Sequence, residues 1–157
     1  MEIVYQIDDI EKLKKFSPET SAEIRWIKLP DDLYAMYLFS LDRKPDIIFN
    51  ERESLEFFQK CHENGEIYCA VFVDERIVST AAVEKYSEDK WETGSVRVLR
   101  SERNKGYAKQ ICYFVTKFIL ESGHIATCRT EEYNIPMQKV IHALGFTPCE
   151  QYKHFLQ

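Results

Sequence analysis

No C-x-x-C pair occurs in this 157-residue chain, and its five cysteines (Cys61, Cys69, Cys112, Cys128 and Cys149) form an odd, scattered set. That spacing argues against a disulfide framework or a zinc site and for reduced thiols in a cytoplasmic protein. Cys112 falls on an apolar helical stripe, and Cys69 and Cys128 fall in strand-like runs, so they read as small buried hydrophobes. No metal is expected. Long apolar runs are missing too, and the opening Met-Glu-Ile-Val-Tyr-Gln-Ile-Asp-Asp carries no basic leader. Neither a membrane span nor a signal peptide is indicated. A net positive balance is missing, since the chain is −5 overall, which argues against nucleic acid as a partner. Repeats, linkers and low-complexity segments do not occur.

What remains is the composition of one folded domain, residues 1–157, with 45% hydrophobic and 13% aromatic residues. Its charge is uneven. Residues 1–66 hold 15 acids against 9 bases, while residues 67–157 hold 11 against 12. Ile3 to Ile7 reads as a strand. Asp8 or Asp9 caps a short helix through Phe16. Ser17-Pro18 starts another helix, through about Lys28. Leu33 to Leu41 fits either helix or strand. Asn50 to Glu53 resembles a capping box and opens a helix that Asn64-Gly65 ends. Ile67–Val73, Ile77–Lys85 and Trp91–Leu99 then read as three antiparallel strands. A helix from Gly106 to Gly123, a strand from His124 to Thr130, a helix from Asn134 to Leu144 and a terminal strand or strand pair follow.

The junction at Arg103-Asn104-Lys105-Gly106-Tyr107-Ala108 is the most informative stretch. Tyr107, Ala108, Ile111, Cys112, Val115, Phe118 and Ile119 recur at helical spacing after it. A strand that turns through Gly into a helix gathers unpaired N–H groups at the positive end of a helix dipole, which suits phosphate oxygens. Arg97, Arg100, Arg103, Lys105 and Lys109 cluster there against the single acid Glu102. The other reading is plain turn chemistry with solvated cations. Neither a P-loop nor a Gly-x-Gly-x-x-Gly fingerprint is present.

Arg-x-x-Gly-x-Ala after a strand resembles the pyrophosphate loop of the GNAT superfamily of acetyl-CoA-dependent N-acetyltransferases. Asn134, its helix and Leu144-Gly145-Phe146 resemble that superfamily's next element. The resemblance covers roughly Ile67 to Phe155. It implies an α/β (mixed α+β) fold: one mixed sheet of six or seven strands flanked by about four helices. Residues 1–66 would supply the acceptor-side helices, and 67–157 the acetyl-CoA-binding core.

The resemblance further implies that a pantetheine arm lies between two splayed parallel strands. Val98, Leu99 and Arg100 would line it, with the Val98 N–H polarising the thioester carbonyl. Arg103, Asn104, Lys105, Gly106, Tyr107 and Ala108 would cradle the pyrophosphate. Asn134 would contact the cofactor near its pantetheine arm, or it is simply a helix N-cap. Glu92 is the candidate base, by analogy with a glutamate that some members place on this strand, with an ordinary surface glutamate as the alternative. Glu84 is a weaker rival, and His124 and His142 read as structural or exposed. Many members carry a general-acid tyrosine seven residues after the Asn. Here that position is Ile141, and Tyr133, His142 and Tyr152 are its unranked neighbours. A thiolate is a tolerable leaving group near neutral pH, since thiol pKa values lie near 8.5.

The expected activity is therefore transfer of acetyl from acetyl-CoA, as cosubstrate, directly to a primary amine. The acceptor would be a small molecule or peptide amine and the protein a monomer or homodimer. The acid excess before residue 67 hints at a cationic amine such as a polyamine, aminoglycoside or peptide lysine. A noncatalytic acyl-CoA-binding or regulatory module, and a structural domain whose Gly106 turn binds nothing, are the rival readings.

Overall fold

Period-two alternation and a run of β-branched residues build one seven-stranded sheet. The computed structural model describes residues 1–15 and 22–151. Its strands are β1 (Glu2–Ile7), β2 (Glu23–Trp26), β3 (Ile67–Val73), β4 (Arg76–Glu84), β5 (Lys90–Val98), β6 (Ile125–Glu131) and β7 (Thr147–Pro148). They lie in the order β2-β3-β4-β5-β6-β1-β7. Every recorded pairing is antiparallel except β5 with β6, which are joined by the crossover helix α3 (Tyr107–Glu121). The other helices are α1 (Leu33–Arg43), α2 (Glu51–Glu63) and α4 (Ile135–Leu144). The sheet is mixed and the α-helices among the described residues number four, as the resemblance implies.

The alternation sorts side chains to two faces. Ile111, Val115 and Ile119 of α3 are fully buried, each contributing about 1.5–3 kcal/mol. Thr116 of α3 hydrogen-bonds Thr93 of β5 at 3.0 Å, and Trp26 of β2 packs its ring on Phe114 and Phe118. Glu92, next to Thr93, therefore lies on the opposite face, with Arg25, which holds Asp32 before α1.

Two expectations need correction. Residues 23–26 form an edge strand where a helix through Lys28 was expected. Ile24 and Trp26 alternate with Arg25, and β3 offers an open ladder that Ile27 N extends onto Tyr68 O at 2.8 Å. The proposed cap at Ser17-Pro18 lies outside the described residues. The helix expected after Asp9 is a single 3-10 turn, Ile10–Lys12. Asp9 does cap it, but the chain then bonds Leu144 O through Lys14 N instead of continuing to coil. The ambiguous run from Leu33 is helical because Met36, Tyr37, Phe39 and Ser40 share one buried face. Asn50 caps α2 as its sequence suggests, accepting from Glu53 N at 3.0 Å.

Among the described residues no helix is long and apolar enough to cross a membrane, and no cluster of His, Cys, Asp and Glu could hold a metal ion. All five cysteines are free.

Candidate functional site

The two parallel strands hydrogen-bond only at their starts. Lys90 faces Ile125, Trp91 faces Ala126 and Glu92 faces Thr127, and there the pairing ends. β5 runs on to Val98 and β6 to Glu131, so a wedge opens between them. A bulge accompanies the divergence. Ala82 pairs with Gly94 and Thr80 with Arg97, so β5 spends three steps where β4 spends two, and Ser95 adopts φ 51°. Sequence reasoning passed over this bulge, although a glycine inside a strand pattern signals one. At Gly94 a Cβ would come within 2.7 Å of Glu84 Oε1.

Backbone direction at the open end of β5 follows from its bonds to β4. The Arg97 carbonyl accepts from Ser79 Oγ at 2.8 Å, and Leu99 N donates to Val78 O at 3.0 Å. Successive residues alternate edges. The Val98 N–H and carbonyl therefore face the wedge. Leu99 itself is buried.

Past a 3-10 turn at Arg100–Glu102, the chain enters α3 through two left-handed residues, Asn104 at φ 66° and Gly106 at φ 84°. Gly106 is the N-cap and has no side chain to offer the first turn. The amides of Tyr107 and Ala108 find no acceptor among the described residues. A Cβ on Gly106 would meet no protein atom within 4 Å, so the space beside it is open. Arg100, Arg103, Asn104 and Lys105 surround it, all exposed. The one local acid is not idle, since Glu102 binds Lys105 Nζ at 2.7 Å. Arg43, at the end of α1, feels the charge of Arg97, unannounced by sequence: burial lowers its pKa, and Arg97 lowers it further.

At the closed end of the wedge sit two carboxylates. Glu92 is 5% exposed and so is not the surface glutamate that was its alternative. Its Oε1 accepts from Arg129 Nε and, at 3.4 Å, from Thr127 Oγ1. Glu84 is its register partner on β4 and accepts from Ser95 Oγ at 3.2 Å. Burial pushes the Glu92 carboxyl above the usual range; Arg129 pulls it back, and nearby Glu84 adds to the rise. Tyr86 and Thr127 share a hydrogen bond of 2.9 Å beside them. Arg129, the one cation of β6, was the overlooked signal for this group.

The α4 side is plainer. Asn134 is exposed and caps α4, accepting from Met137 N at 3.3 Å. Ile141 is 1% exposed and belongs to the core, so its helix face packs inward at that point. His124 stacks on Trp91 at 3.5 Å. His142 touches the ring of Tyr5 and is exposed, as is Tyr133; Tyr152 lies outside the described residues.

Two depressions flank the sheet. One, about 660 Å³, lies by the start of α1 and the Asp74-Glu75 turn and reaches Tyr107. Another, about 230 Å³, is lined by Ile27, Leu29, Met36, Phe58, Ile67 and Tyr68, together with His62, Glu66 and Lys85.

Residues 15–146 match the model of the acetyltransferase (GNAT) family. A search of curated proteins gave no match. Among solved structures, a GNAT-family acetyltransferase from Colwellia psychrerythraea is similar at 21% identity and TM-score 0.71, over 94% of this chain and 52% of its own. A putative GNAT acetyltransferase from Novosphingobium aromaticivorans gives 15%, 0.69, 94% and 59%. The chain thus spans little more than half the length of these two. AAC(6')-Iy, in complex with the bisubstrate analog CoA-S-monomethyl-acetylneamine, gives 20% and 0.64, over 82% of this chain and 92% of its own.

Proposed function

The chain belongs to the acetyltransferase (GNAT) family, and on that premise we propose that it transfers acetyl from acetyl-CoA directly to a primary amine. The observation that carries this is the wedge: β5 and β6 part at Glu92–Thr127 and open toward the Gly106 turn. A long thin arm ending in phosphates fits that shape. Arg103, Asn104, Lys105, Gly106, Tyr107 and Ala108 would hold the pyrophosphate through the first-turn amides and the dipole. Val98, Leu99 and Arg100 would line the arm, and Asn134 would border it while capping α4.

Acetyl-CoA supplies an activated thioester carbonyl. The Val98 N–H, facing the wedge, would donate to that carbonyl oxygen as charge develops on it. Glu92 would accept the amine's proton, directly or through water. Its raised pKa suits a base that must also release the proton. Arg129 would position Glu92 and limit that rise. Residues 1–66 would shape the acceptor side.

Direct transfer is favoured over an acyl-cysteine route by the thiols themselves. Burial pushes Cys112 up to about 12 and Cys61 up to about 11, and raises Cys69, Cys128 and Cys149. None is an activated nucleophile. A noncatalytic acyl-CoA-binding module is the second reading, supported by the core isoleucine at position 141. Incubation with acetyl-CoA and a panel of primary amines, read by mass spectrometry, separates the two. Acetylated amine is expected, whereas acetyl-CoA binding without product would favour the module.

A further inference from the structure

We infer that the acceptor is a small primary amine with a branched-aliphatic or aryl tail, seated tail-first in the cavity lined by Ile27, Leu29, Met36, Phe58, Ile67 and Tyr68, its nitrogen directed to Glu84 and Glu92. This rests on the acetyltransferase reading and names the acceptor class for it.

Four observations carry the inference. The walls are mostly apolar and aromatic, so they reward burial of hydrocarbon, and the three charged or polar side chains beside them, His62, Glu66 and Lys85, are too few to partner a polyhydroxylated or polycationic chain. The Tyr68 hydroxyl is already occupied, donating to Glu66 at 2.8 Å, so what Tyr68 offers a guest is its ring. The volume, about 230 Å³, lies below the common range of roughly 300–1,000 Å³ for ligand pockets and suits a small tail better than an aminoglycoside or a folded peptide segment. The position joins the cavity to the carboxylates. Tyr68 pairs with Ala82 on β4, and Glu84 is two residues on, on the same face. Glu84 in turn faces Glu92, which ends the β5–β6 pairing. Burial raises the Tyr68 phenol pKa, and Glu84 is near enough to add to that rise.

The chemistry balances across this path. The arriving ammonium gives one proton to the Glu92 carboxylate. The neutral nitrogen then bonds to the acetyl carbon as the carbon–sulfur bond breaks. The electron pair leaves on sulfur as thiolate, and the amide nitrogen's surplus proton passes to water or the thiolate.

The wider, acidic depression by α1 is the competing place for a polyamine. Two of its acids, Glu23 and Asp32, are held by Arg25, and it reaches Tyr107 at the far end of β5 from Glu92.

Thiol release by the full chain decides the matter, with isoamylamine, phenethylamine, spermidine, kanamycin and a lysine peptide as acceptors. Isoamylamine or phenethylamine should exceed spermidine in kcat/KM by about tenfold or more. Phe58→Asp should raise the KM of the preferred amine by about tenfold or more at unchanged KM for acetyl-CoA. Should Phe58→Asp fail to fold, Leu29→Asp, on a loop before Pro30, makes the same test. Preference for spermidine, kanamycin or the peptide, or unchanged amine KM in a folded variant, would overturn the acceptor class and leave the transferase standing. Acetyl-CoA binding by calorimetry with no amine acetylated would overturn it as well. Failure of the wild type to bind acetyl-CoA would instead remove the acetyltransferase premise.

Discussion

Replacing Gly106 by alanine should separate ligand geometry from backbone strain, because the chain contains its own control. Gly106 opens α3 at φ 84°, and Gly123 follows α3 at φ 83°. At neither does a Cβ meet a protein atom within 4 Å. Both substitutions therefore carry the same penalty, about 1–2 kcal/mol for a left-handed non-glycine residue. In a chain of this length each kcal/mol lowers the melting temperature by about 2–4 °C. Gly123→Ala should do that and nothing else. Gly106→Ala should also place a methyl where phosphate oxygens are to meet the Tyr107 and Ala108 amides. A hydrogen bond to a charged group contributes about 1.5–3 kcal/mol. Loss of one predicts CoA affinity weaker by roughly 10- to 150-fold. Calorimetric titration of CoA into both folded variants measures it. Equal affinities in Gly106→Ala, Gly123→Ala and wild type would refute the phosphate-loop assignment.

Glu92→Gln should cut turnover by roughly 10²-fold with CoA affinity kept, and the loss should shrink at high pH, where more amine is already neutral. Since the Glu92 carboxyl is raised, the acid limb of kcat/KM should lie above the ordinary glutamate value near 4.3; a flat profile through that region would exclude Glu92 as base. Asp32 behaves in the opposite sense. Its hydrogen bonds from Arg25, at 2.7 and 2.9 Å, hold its pKa down, so it stabilises above the unfolded value near 3.9 and loses that contribution as pH falls through the lower folded one. Asp32→Asn should cost about 1–3 kcal/mol at neutral pH, with the gap from wild type closing in acid; urea titrations at several pH values would show a constant gap if this is wrong. Ile141→Tyr should destabilise by about 1–3 kcal/mol and bring no gain in turnover, because a phenol must be forced into packed core; a faster, undiminished enzyme would place that helix face against the cosubstrate.

Most of the architecture was legible because its signals are local. Glycine and helical periodicity fix α3 from Gly106, Asn134 caps α4, and apolar, β-branched runs bounded by turn residues mark β3, β4 and β5. What was missed depends on partners distant in sequence. Glu23 to Trp26 became a strand because β3 had a free edge, which no local propensity reports. Glu92 read as a base or a surface acid until Arg129, Thr127 and Glu84 were brought around it from other strands. Gly94 did carry a local signal for the bulge, and Arg129 was the one cation of its strand. Ile141 could be located but not oriented, since a helix face is assigned only by what packs on it. The loop cations were legible as a group, but the pairing of Lys105 with Glu102 and the approach of Arg43 to Arg97 were not.

One measurement bears most directly on direct acetyl transfer to an amine: a single-turnover experiment with protein in excess over acetyl-CoA. Intact-protein and small-molecule masses are followed before and after amine is added. The prediction is no acetylated protein with acetyl-CoA alone, then acetylated amine and free CoA appearing together in equal amounts. Acetyl carried on the protein before the amine arrives, or acetyl-CoA left intact after every amine tried, would contradict it.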